Sequence, residues 1–86
     1  MNRQSAEILA FKGLAFLAND APALEKFLTL TGTTASELRG RAEEPEFLAA
    51  LLDFLMTDEP LLTAFCEAEA VDAATFYGAR RALPGA

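Results

Sequence analysis

The 86-residue sequence contains no histidine and no tryptophan, and its single cysteine is Cys66. Without histidine there is no imidazole acid or base, no Ser-His-Asp or Cys-His nucleophile system and no Cys/His zinc site. One cysteine forms no intramolecular disulfide and fits a reducing compartment, so the expected location is the cytoplasm. β-Branched aliphatic residues are nearly missing, with only Ile8 and Val71, whereas Ala, Leu and Phe are abundant. That balance selects an all-α fold over a sheet. Cations are scarce too. Seven Lys+Arg against thirteen Asp+Glu give a formal net charge of -6, which argues against nucleic-acid and anionic-membrane binding. No apolar run approaches the ~20 residues of a membrane span.

What is present describes a globular chain. Hydrophobic residues make up 52% and charged residues 23%, too apolar for disorder and too short for more than one domain, 1–86. Capping residues divide it into about six short helices. Asn2 caps a helix running to about Ala18, with Leu9, Gly13, Phe16 and Leu17 near helical spacing. Asp20 precedes Pro22 and opens a second helix with the stripe Leu24, Phe27 and Leu28, stopped at Gly32. Thr34-Ala35-Ser36-Glu37 is a capping box for a short third helix with Leu38 and Ala42 inward. Glu44-Pro45 opens a fourth, whose Leu48, Leu51, Leu52 and Leu55 make the strongest amphipathic pattern. Asp58 before Pro60 opens a fifth with Leu62, Phe65 and Cys66 inward. Asp72 caps the last, which holds Phe76 and ends at Leu83-Pro84-Gly85.

The two Asp-x-Pro corners belong to a longer self-similarity. Phe16–Pro22 aligns with Phe54–Pro60 at an offset of 38 residues, and seven of the fourteen pairs from position 14 to 27 are identical. The expectation is two pseudo-repeated three-helix units, about 5–42 and 43–81, sharing one core; two hairpins with the same turn chemistry are the alternative. The offset also bears on the N-terminus, where Arg3 precedes the mostly apolar Ile8–Ala18 in the manner of a signal peptide. Glu7 and Lys12 interrupt that pattern, and residues 8–18 match the interior segment 46–56, so core helix is the expectation.

The stretch Glu46–Leu55, then Asp58, Ala64–Ala68 and Ala79–Gly85, resembles a family of small uncharacterised bacterial proteins known as a domain of unknown function. The likeness covers nearly the whole chain. It implies a bacterial, cytoplasmic, all-helical protein and carries over no reaction, cofactor or catalytic residue.

Candidate sites follow from charge and leftover apolar side chains. Nine acidic residues and no cation lie between Glu43 and Asp72; they read as an acidic docking face or as helix-dipole complements at Glu43, Glu44, Glu46, Asp58 and Glu59. No Asp-x-Asp-x-Asp-Gly loop accompanies them, and no metal or other cofactor is expected. Arg39, Arg41, Arg80 and Arg81 end two helices and are candidate basic contacts. With the Thr31–Thr34 turn, residues 22–42 also have helix-turn-helix proportions, the alternative reading as a DNA-binding regulator. Cys66 sits on the apolar stripe as a core residue, with no cation nearby to activate it. Glu67 and Glu69, two apart on a helix, do not face each other as an acid–base pair. Phe11, Leu30, Leu61, Tyr77 and Leu83 fall off the main stripes and are the expected interaction surface. The leading expectation is a non-enzymatic module that binds another protein or itself.

Overall fold

The computed structural model describes residues 1–85, which form six α-helices and no strand. In chain order these are α1 (Arg3–Ala18), α2 (Ala21–Thr31), α3 (Leu38–Arg41), α4 (Pro45–Met56), α5 (Glu59–Glu69) and α6 (Ala73–Arg81). The starts of α1, α2, α5 and α6 are set by side chains that accept from orphan backbone N–H groups. The Asn2 side chain accepts from Ser5, Asp20 from Ala23, Asp58 from Leu61 and Asp72 from Thr75. Pro22, Pro45 and Pro60 sit in the first turns of α2, α4 and α5, where a missing N–H costs no hydrogen bond.

Helix α4 is the hub. It packs against α1, α2, α5 and α6, while α1 also lies against α2 and α6. Leu48, Leu51, Leu52 and Leu55 of α4 are all buried, together with Phe47, Ala49 and Phe54. Around this helix the phenylalanines meet edge-on or tilted, geometries that suit the ring quadrupole. Phe27 of α2 lies 5.3 Å from both Phe47 and Phe54 of α4. On the other side, Phe65 of α5 lies 5.5 Å from Phe16 of α1 and 6.2 Å from Phe76 of α6. Gly13 of α1 faces Leu51, Leu55 and Phe65.

Several features recur at the 38-residue offset. Asp20 has φ -132° and ψ 85°, and Asp58 has -130° and 91°. Helix α2 ends on Gly32 and α5 on Ala70, both left-handed, with φ 68° and 55°. At each end the next residue bonds back across the last turn, Thr33 N–H to Leu28 and Val71 N–H to Cys66. The third elements differ. Helix α6 runs nine residues and buries Phe76 and Ala79, whereas α3 is a four-residue turn that buries none.

The capping box at Thr34 forms, with Thr34 N–H donating to Glu37 and Glu37 N–H to the Thr34 hydroxyl. Helix does not follow from it directly. Residues 35–37 remain a turn, Gly40 adds flexibility and Pro45 soon starts α4, so α3 gets a single turn. Leu38, expected inward, is half-buried; Ala42 is buried.

Candidate functional site

The four arginines have different fates. Arg80, expected as a basic contact, is instead internal, its side chain 11% exposed. Its guanidinium donates to both carboxylate oxygens of Asp53 at 2.6 and 3.2 Å, and to the carbonyls of Leu83, Pro84 and Gly85. These five bonds pin the segment after α6 to α4, leaving no open donor face for a partner. Arg41 is likewise engaged, in an ion pair with Glu44 at 3.3 Å and 5.1 Å above the Phe47 ring. Arg39 and Arg81 are exposed.

The expected apolar surface separates into three places. Leu83 is corrected outright: at 3% exposure it belongs to the core, because the chain bends after Arg81 and the Arg80 carbonyl bonds hold it inward. Leu61 is half-buried and packs on the same core. Phe11, Leu30 and Tyr77 are exposed, Leu30 by 68%. Phe11 lines a shallow groove of about 590 Å³ with Leu14, Leu38 and Arg39. Leu30 borders a depression of about 170 Å³ beside Ala50, Phe54 and Thr57. Tyr77 lines the largest of the three, a groove of about 790 Å³ formed by α5, the following turn and α6, with Met56 of α4 also in its lining.

That largest groove has an apolar floor and an acidic rim. Leu62, Cys66, Val71 and Tyr77 line it together with Glu59, Glu67 and Asp72. The Asp72 carboxyl is held below the ordinary carboxylate range by the Thr75 backbone N–H and then by the Thr75 side chain. Burial pushes the Cys66 thiol up, and the Asp72 charge adds to it. A thiol so placed is a poor nucleophile at neutral pH. Among the described residues no group of three or more Cys, Asp or Glu side chains lies close enough together to hold a metal ion.

The acidic run of residues 43–72 does not form one face. Glu44, Asp53 and Glu69 pair with Arg41, Arg80 and Lys12, and Asp58 caps α5. Glu59 and Glu67 of α5 and Asp72 of the following turn all line the groove, without lying close enough together to form a metal cluster. The Asp53–Arg80 clamp was silent in the sequence, its partners lying 27 residues apart. The helix-turn-helix segment 22–42 lacks the long second helix that reads a major groove, since α3 has four residues.

No helix among the described residues is long and apolar enough to cross a membrane. Comparison with curated proteins and with solved structures gives no match. A family model does match: the one described as Protein of unknown function (DUF3572) spans residues 3–86, nearly the whole chain, and the chain belongs to that family.

Proposed function

We propose that this chain is a non-enzymatic, cytoplasmic protein-interaction module whose working surface is the groove between α5 and α6. The observation that carries the reading is the groove itself, about 790 Å³, whose apolar lining of Met56, Leu62, Cys66 and Val71 is only half-buried and whose Tyr77 is exposed. Its thiol, Cys66, is shifted away from reactivity, and its Thr63 and Tyr77 hydroxyls and its carboxylates have no histidine or cationic partner in the lining for acid–base work. Exposed Tyr77 supplies the kind of anchor that interaction surfaces favour. We also read the chain as two copies of one helical unit. On that reading, the long α6 of the second copy builds the groove wall that the single turn of α3 does not supply.

The test is a tagged pull-down from the source cell with mass spectrometry, comparing the wild-type chain with Tyr77→Ala and a control tag. A stoichiometric protein partner that Tyr77→Ala loses supports the module. Recovery of the bait alone overturns it, and recovery of nuclease-sensitive DNA moves the assignment to the regulator built on residues 22–42.

A further inference from the structure

The groove between α5 and α6 is lopsided in charge. Its lining includes Glu59, Glu67 and Asp72 and no Lys or Arg. Four acids elsewhere are ion-paired, Glu7 with Arg3, Glu69 with Lys12, Glu44 with Arg41 and Asp53 with Arg80, and Asp20, Glu37 and Asp58 accept capping hydrogen bonds, while Glu25, Glu43 and Glu46 face solvent singly. Among the described residues, no ion pair engages the three groove carboxylates. They stand around a floor formed by Met56, Leu62, Val71 and the exposed Tyr77.

We propose that this groove receives a basic amphipathic helical segment of a partner protein, its apolar side chains on the Leu62–Val71–Tyr77 floor and its Lys or Arg side chains against Glu59, Glu67 and Asp72. The inference rests on the interaction-module reading and adds the chemistry of the partner. Two features of the groove match two features of such a segment. A helix laid in a groove offers apolar anchors at i, i+3 or i+4 and i+7, and cations flanking that stripe reach the rim. The match also sets specificity: an acidic segment of the same apolar pattern meets three like charges. The net charge of -6 favours the encounter with a basic partner at long range.

The test uses the full chain, labelled with ¹⁵N, and a synthetic Leu/Lys amphipathic peptide of about four helical turns as the probe. The expected result is saturable binding with amide shifts centred on Val71, Ala73 and Tyr77. Affinity falls by about tenfold or more in the triple variant E59Q/E67Q/D72N, and falls again as salt is raised. Asparagine still caps a helix, so Asp72→Asn preserves the start of α6, and circular dichroism verifies that the variant is folded. Four outcomes overturn the proposal: no saturation, equal affinity for the triple variant, equal affinity for a Leu/Glu peptide, or groove shifts that follow the concentration of the chain alone, which would place a second copy there. Each of these leaves the pull-down to decide the module reading separately, because a partner lost on Tyr77→Ala but retained by the triple variant keeps the module and removes the basic segment.

Discussion

The Arg80 guanidinium grips Asp53, 27 residues earlier on α4, through two parallel hydrogen bonds of 2.6 and 3.2 Å. The same guanidinium takes three carbonyls of the segment after α6. It therefore ties the end of the described chain to the central helix. Removing it leaves those carbonyls and the half-exposed Asp53 without their donor. Arg80→Ala should cost about 2–3 kcal/mol in urea unfolding at neutral pH. Asp53→Asn should cost less, about 1 kcal/mol, because Asp53 stays partly in water. Lysine at position 80 should rescue little of the loss, since an ammonium cannot span both carboxylate oxygens and the carbonyls.

Ala70 carries a left-handed backbone with φ 55°, where the equivalent end of α2 has Gly32 at φ 68°. A Cβ is costly in that region and glycine is not. Ala70→Gly should raise stability by about 0.5–1 kcal/mol, after subtraction of the extra freedom glycine has when unfolded. Gly32→Ala should lower it by about 1 kcal/mol. Thermal melts of the two variants check both signs.

A Cβ added at Gly13 would sit 3.5 Å from the side chains of Leu51 and Leu55 and 3.7 Å from Phe65, ordinary van der Waals contacts. Glycine inside a helix is disfavoured by about 1 kcal/mol relative to alanine. Gly13→Ala should therefore stabilise the chain by about 0.5–1 kcal/mol, while Gly13→Leu should overpack the α1–α4 seam and destabilise it by about 1–3 kcal/mol. Denaturant midpoints read the difference.

The helix starts were legible because each rests on local chemistry. Asn2, Asp20, Asp58 and Asp72 cap where their sequence contexts place them. Leu48, Leu51, Leu52 and Leu55 were legible for the same kind of reason, four apolar residues at helical spacing on one face. What the sequence hid depends on distant pairs. Leu83 was misassigned to the surface because its burial follows from where the chain goes after α6, and Arg80 because its partner is on another helix. The short α3 was misread in extent: its capping box is real, yet a box satisfies two N–H groups and does not supply the buried face that sustains a helix. The groove brings together Cys66, Tyr77 and part of the acidic run, and it is the docking of α6 on α1 and α4 that sets Tyr77 across from α5.

Acid should loosen the chain at two helix-start regions. Glu37 is held below its ordinary pKa by the Thr34 backbone N–H and then the Thr34 hydroxyl, and Asp72 by the corresponding donors of Thr75. A depressed folded-state pKa contributes stability above the unfolded value and loses it as pH falls through the folded one. Melting temperature should accordingly be flat near neutrality and decline as pH drops below about 4. Asp72→Asn should flatten part of that decline, as followed by circular dichroism across the acid range.

Cys66 should alkylate slowly at neutral pH and faster as pH rises, because burial first and the Asp72 charge second hold the thiol up. Asp72→Asn removes the second influence and should speed the reaction. Rates with a maleimide reagent, compared with the urea-unfolded chain, measure both effects.

The central place of α4 also sets how the molecule opens. Its seven buried residues lie among four other helices, so the hydrogen-bonded amides of its interior turns exchange with solvent only when the core comes apart. Helix α3 has no fully buried residue, only the half-buried Leu38 and Arg41, and can unwind by itself. Hydrogen exchange should then divide the chain into two kinetic classes, with α4 protons leaving at the rate of global unfolding and α3 protons leaving through local fluctuations, so that the slowest amides of one twelve-residue helix report the stability of the entire fold.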